Sequence, residues 1–263
     1  MSMSSPHRGR PDLFSRVATA PISWGVCEVP GWGILHDERQ AEATMDRARG
    51  TAELLAALDA PFFNTAPVTS RDWQPRRPLS EAEWTQVYVM LDRLDQLCAD
   101  LGLHQVVHEH VGCIVETDDD VQRLLADTSV RFVLDTGHLA LGGFDPLDFA
   151  KNHADRVGLV HLKDTRFDVA EQLIQGELSL MESVQHGLFP ALGQGELPLA
   201  DIVATLEQSG YDGWYVIEQD SALTHGLPPA GDGPMLDVAL SVTFLNDNIR
   251  ALGPPAGLRS RVQ

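Results

Sequence analysis

Residues Val130 to Asp164 restrict the fold more than any other stretch, reading VRFVLDTGHLALGGFDPLDFAKNHADRVGLVHLKD. Two runs of β-branched and aliphatic residues stay apolar along their length and become ionisable only at the carboxyl end. The first ends in Asp135 and His138, the second in His161, Lys163 and Asp164. Strands of this kind belong in a parallel sheet covered on both faces, and such sheets form reaction sites where the strands end. A helix-length connection between the two runs fits a βα repeat.

The same pattern recurs on either side. LHQVVHEHVG follows Gly102 and ends in His108, Glu109 and His110, while GWYVIEQD, Gly213 to Asp220, carries Val216, Glu218 and Asp220 in phase. Asp135 lies 27 residues after His108, and His161 lies 26 after Asp135. That interval matches consecutive units of a (β/α) barrel, and 263 residues is about one such domain. Only six strands can be counted, however. An eight-stranded barrel needs two more, and the stretch between Trp24 and Phe62 has room for little beyond one helix. The expected fold is therefore α/β, a TIM-type barrel missing about two of the usual eight strands.

Further elements follow from local signals. A first strand is read over Ala18 to Trp24, breaking at Gly25. Glu38 to Leu58 is rich in Ala, Leu, Glu and Arg at helical spacing, forming one long helix or two short ones around Gly50. Ala60 to Pro67 reads as a short strand. Ser80 with Glu83 three residues on is a capping box that opens a helix over Glu81 to Leu101, with Trp84, Val87, Leu91, Leu94 and Leu97 on the core face. Thr117 caps a helix whose Asp118 to Asp120 run is expected to complement the dipole and do nothing else. Asp164 to Pro198 is a long excursion at the rim, suited to a lid or assembly surface. Helices over Leu199 to Ser209 and Pro234 to Leu252 complete the pattern. The domain plan is a flexible arm over residues 1–16, one barrel over 17–252 and a tail over 253–263.

Thirty-eight acidic against nineteen basic residues give a formal charge of −19, which disfavours nucleic acid and anionic membranes as partners. No segment has the ~18 unbroken apolar residues of a membrane span, and the opening residues lack a signal-peptide core. Cys27, Cys98 and Cys113 are odd in number and form no CxxC pair, so no disulfide framework or thiolate zinc site is expected. A cytoplasmic setting follows from these readings.

Four strand ends offer His108 (with Glu109 as the fallback), Asp135, His161 and Glu218. Side chains alternate along a strand, so His108 and His110 share a face and Glu109 takes the other. A mixed imidazole and carboxylate set without thiolates suits a borderline divalent ion. Any one of these residues alone would be a satisfied rim group more often than a ligand, and it is the four together that point to a metal.

The strings VLDTGH, VHLKD and WYVIEQD, with PISWG near the start, HEHVG on the middle strand and GQGELPLADIVATLEQSGYDGW before the last, resemble the xylose-isomerase-like barrels known as sugar phosphate isomerases/epimerases, most closely the inosose dehydratase branch. The resemblance is consistent in order and spacing from about Leu101 to Asp220. It implies one divalent ion, Mn²⁺ first with Co²⁺, Fe²⁺, Zn²⁺ or Mg²⁺ as alternatives, held by His108, Asp135, His161 and Glu218. His138 matches a substrate-contacting histidine and Lys163 the lysine of HLKD. His110, Trp24 and Glu28 are the candidate substrate contacts. Relative to the family, about one and a half βα units are missing near the amino end, and dimerisation across that gap is expected.

The first expectation is a metal-dependent isomerase or epimerase acting on a keto-sugar or keto-cyclitol through a metal-bound enediolate, with Glu218 as general base and His138 or Lys163 moving the second proton. Inosose dehydratase-like elimination uses the same intermediate and stays open beside it, as does a degenerate barrel serving only as a binding or assembly subunit. A metal-dependent endonuclease on this fold is disfavoured by the acidic charge and the short ligand list. For Lys163 the structural alternative is a salt bridge with Asp164 or a rim carboxylate. No Gly-rich cradle or Arg cluster marks a phosphate site, so an unphosphorylated substrate is preferred.

Overall fold

The computed structural model describes residues 16–19, 38–66, 77–222, 229 and 232–250. Six strands, β1 (Val17–Thr19), β2 (Phe62–Thr65), β3 (His104–His108), β4 (Arg131–Asp135), β5 (Val157–Leu162) and β6 (Tyr215–Ile217), form one sheet in the order β1-β6-β5-β4-β3-β2. Every pairing is parallel. This is the strand sequence of a (β/α) barrel left open between β1 and β2, where the described residues supply no further strand. Among the described residues the count of six agrees with the sequence reading. The expected first strand is described only over its opening residues, and Trp24 and Glu28 lie outside the described residues.

The helices are α1 (Glu38–Ala57), α2 (Glu81–Asp100), α3 (Asp118–Asp127), α4 (Thr136–Leu141), α5 (Pro146–Asn152), α6 (Phe167–Ile174), α7 (Leu180–Gln185), α8 (Leu199–Ser209) and α9 (Pro234–Arg250). Of the two possibilities read for Glu38 to Leu58, the single long helix is the one present. The Ser80–Glu83 capping box forms as its spacing predicts. Along α2, Trp84, Val87 and Leu91 enter the main core with Phe132, Leu134, Val160 and Leu162, whereas Leu97 and Cys98 pack on Met45 and Ala52 of α1. One apolar stripe thus joins two clusters, and each fully buried aliphatic side chain in it contributes about 1.5–3 kcal/mol.

The acidic run opening α3 does more than complement a dipole. Asp120 is buried, and its Oδ2 accepts from the backbone N–H of Glu116 at 3.1 Å and of Thr117 at 3.0 Å while Thr117 caps in return. Sequence alone assigns the run to the helix dipole and nothing else. Here the third carboxylate satisfies N–H groups that the turn into the helix leaves without partners.

A bulge sets the alignment on which the rim depends. Phe132 pairs with Val157 but Val133 pairs with Leu159, so Gly158 is an extra residue in β5. From there on Asp135 lies opposite His161. Without the bulge Val160 would take that place, and the ionisable tip of β5 would turn to the other face. Only glycine fits the extra position, because a Cβ there would run into the Val106 side chain on β3. At the opposite end of the sheet, Arg16 donates to the carbonyl of Gly213 and to Glu207, both at 2.8 Å, fastening β1 beside β6. No helix among the described residues is long and apolar enough to cross a membrane.

Candidate active site

The strand ends bring His108, Asp135, His161 and Glu218 together. One ligand atom from each lies within 4.8 Å of all the others, although the residues come from β3, β4, β5 and the end of β6. Asp135 is fully buried and has two separate jobs. Its Oδ1 caps α4, accepting from the N–H of Gly137 and of His138, both at 2.9 Å. Its Oδ2 has no hydrogen-bond partner among the described residues, and His108 Nε2, His161 Nδ1 and Lys163 Nζ each stand 3.6 Å away. A buried carboxylate oxygen without a partner is costly unless a cation meets it. The donor set and that open lone pair fit a divalent ion held by these four residues.

Glu109 is not one of the four. Its side chain turns away from His108, as alternation requires, and its Oε1 accepts from the backbone N–H of Asp135 at 3.1 Å. Burial, aided by the neighbouring Asp135 charge, raises its pKa well above the ordinary carboxylate value.

Lys163 is held in the middle of the rim charges. Thr136 staples its backbone, with Oγ1 donating to the Lys163 carbonyl at 2.7 Å and accepting from its N–H at 2.9 Å. Its Nζ reaches Asp220 Oδ2 at 2.8 Å, Glu218 Oε2 at 3.0 Å and His138 Nε2 at 3.1 Å. The alternative pairing with Asp164 is not what forms, because both Asp164 oxygens are engaged by backbone N–H groups. The pairing is instead with a rim carboxylate, Asp220. His110 stacks on His138 with ring centroids 3.5 Å apart, and Phe189, from the excursion after β5, covers His138 and lies 4.7 Å from Nζ.

Electrostatics divide the histidines. Burial pushes His108 down to about 4 and His110 down to about 3, and holds His138 well below its usual value, so all three are neutral near pH 7. Burial also opposes the charge on His161, but Glu218 at 3.1 Å and the Asp135 carboxylate outweigh it and raise the group to about 10. Ion binding there must displace a proton from the imidazole. Lys163 likewise stands well above the usual lysine value, because Asp135, Asp220 and Glu218 overcome the cost of burial. Glu218 and Asp135 stay ionised for the converse reason, while burial raises Asp220.

The strand order and the ionisable tips are those of a known architecture, and residues 18–235 match the family model described as xylose isomerase-like TIM barrel. The chain belongs to this family. Among relatives, the inosose dehydratase of Geobacillus kaustophilus (strain HTA426) is 33% identical over 208 residues, covering 73% of this chain and 68% of that protein. Inosose dehydratase 1 of Bacillus cereus is 34% identical over 173 residues, 64% of this chain and 55% of its own length. The chain therefore spans about half to two thirds of these relatives. Two solved structures share the fold. The IolI protein with a binding zinc atom has a TM-score of 0.62 at 16% identity, covering 84% of this chain and 74% of that one. L-ribulose 3-epimerase has a TM-score of 0.62 at 14% identity, covering 94% and 78%. These relatives and neighbours include enzymes named inosose dehydratase and L-ribulose 3-epimerase.

Two residues at this site escaped the sequence reading of function. Asp220 was legible only as in phase with Glu218. Phe189 carried no signal, since it lies in the excursion after Asp164 beyond its helical patches.

Proposed function

We propose that this chain is a divalent-metal-dependent dehydratase acting on an unphosphorylated keto-cyclitol of the inosose kind. The observation that carries the reading is the meeting of His108, Asp135, His161 and Glu218 within 4.8 Å, beside a fully buried Lys163. The relatives at 33–34% identity, named inosose dehydratase, favour elimination of water over isomerisation, which stands first on the sequence alone.

His108, Asp135, His161 and Glu218 would hold a divalent ion, which would supply electron withdrawal from a ketone and its neighbouring hydroxyl so that the adjacent C–H becomes acidic. Glu218 takes that proton through its carboxylate. The C–O bond one carbon further on then breaks, and the leaving hydroxyl collects a proton from the Lys163 and His138 pair, whose nitrogens stand 3.1 Å apart. Water departs, and the resulting enol tautomerises to a dione. Phe189 and the stacked His110 exclude solvent from the proton path.

The test is turnover of 2-keto-myo-inositol by the protein loaded with Mn²⁺, followed as dione formation and as loss of the substrate C–H in deuterated water. Activity that vanishes with chelator and returns with Mn²⁺ is the expected result. Stoichiometric Mn²⁺ binding with neither dione nor exchange into any inosose or ketose overturns the reading in favour of a binding subunit.

A further inference from the structure

Lys163 stands where two cations would draw on the same oxygens. An ammonium has three N–H bonds; two are used by hydrogen bonds to Asp220 Oδ2 at 2.8 Å and His138 Nε2 at 3.1 Å, and Glu218 Oε2 stands 3.0 Å away as an ion-pair partner. Glu218 and Asp135, whose Oε2 and Oδ2 stand 3.0 and 3.6 Å from Nζ, are also the carboxylates that the four-residue set offers to an ion. A fixed positive charge so close repels a divalent ion and competes for its carboxylates, and low exposure leaves little water to screen either effect. Asp220 lies two residues past Glu218, belongs to no ligand set and makes the shortest of the three contacts. Its other oxygen, Oδ1, is buried and has no hydrogen-bond partner among the described residues, so the charge of this carboxylate is directed chiefly at Lys163.

We propose that Lys163 limits the affinity of the site for divalent metal, and that Asp220 is the positioning residue that draws the ammonium off Glu218 so that lysine and ion can coexist. The inference rests on the metal site of the proposed function, but not on the reaction. Asp220 thereby sets how much of the Glu218 carboxylate is available to the ion, and it keeps Lys163 oriented toward His138.

The experiment is titration of the full chain, stripped with chelator, with Mn²⁺ by calorimetry and by the electron paramagnetic resonance signal of free Mn²⁺. Lys163→Met is expected to bind at least about tenfold more tightly than wild type, and Lys163→Arg, which keeps the charge, within about threefold of it. Asp220→Asn is expected to bind about tenfold more weakly. Its effect shrinks to about twofold or less in Lys163→Met/Asp220→Asn, because the charge it controls is gone. The double variant also removes both members of the pair, so it serves where Lys163→Met alone, with carboxylates left uncompensated, does not fold. Equal weakening by Asp220→Asn with and without Lys163, or no tightening in either variant lacking the lysine, overturns the proposal. Wild type that binds neither Mn²⁺ nor Zn²⁺ overturns the metal site itself, and with it the proposed function.

Discussion

Two neighbouring parts of the rim are each built around a fully buried aspartate, and they treat it in opposite ways. Asp164, just past β5, accepts four backbone hydrogen bonds: Oδ1 from Thr165 at 2.9 Å and Leu197 at 3.2 Å, Oδ2 from Gly193 at 2.8 Å and Gly195 at 3.0 Å. Those donors close the glycine turn of the excursion onto the sheet. Asp135, at the tip of β4, receives two such bonds on one oxygen and none on the other. Burial alone therefore does not mark function. A carboxylate saturated by N–H groups is a clasp, and one left open toward two imidazoles and a lysine is a place for a ligand.

The largest effect that sharpens this contrast is expected from Asp135→Asn. An asparagine keeps the oxygen that caps α4, so the helix cap survives, and the stability lost without metal comes from removing the buried charge that faces Lys163 and His161. The open oxygen becomes an amide that cannot serve as an anionic ligand. Mn²⁺ affinity should fall at least ~100-fold and kcat on the order of 10³-fold, read by calorimetry and by dione formation. A protein that unfolds while retaining its metal affinity would reverse the roles assigned to the two aspartates.

Asp164→Asn is the complementary case and comes second. One side of the amide now presents N–H groups to backbone N–H groups that need an acceptor, leaving two buried donors unsatisfied. A loss of about 2–4 kcal/mol is expected in chemical denaturation, with Mn²⁺ affinity of the folded fraction within about threefold of wild type. The two substitutions are chemically identical, so the outcomes separate environment from residue type.

The tips that carry the proposed chemistry were readable because Asp135, His161 and Glu218 end otherwise apolar strands; alternation put His108 and Glu109 on opposite faces but left open which of them faces the site. The count of six strands was readable for the same reason, since each strand announces itself by its run of apolar residues. The clasp was not readable. Asp164 meets donors 29 to 33 residues away, at Gly193 to Leu197, and backbone N–H groups leave no mark on residue identity. The bulge at Gly158 escaped as well, because a glycine in a strand does not say which residue opposite it is skipped. For Lys163 a rim carboxylate is one of the two partners legible in the sequence, but not which one, since Asp220 arrives from another strand end 57 residues on.

The smallest expected effect tests how finely the open region is set. Gly137 lies in the first turn of α4 with ordinary helical dihedrals, so conformation does not demand glycine there. Close approach does: an added Cβ would lie 2.9 Å from Lys163 Cγ, 3.0 Å from Lys163 Cδ and 3.1 Å from Phe189 Cε1. The lysine stem can yield by a few tenths of an ångström, but Nζ cannot follow without lengthening its contacts to Asp220, Glu218 or His138. Gly137→Ala should therefore lower kcat about three- to tenfold, because small misplacements of a proton-transfer group are felt in rate before stability. Stability should stay within about 1 kcal/mol of wild type, helped by the better helix propensity of alanine. An unchanged kcat would mean that the aliphatic part of Lys163 is free to settle elsewhere, and that the open region tolerates what the clasp around Asp164 does not.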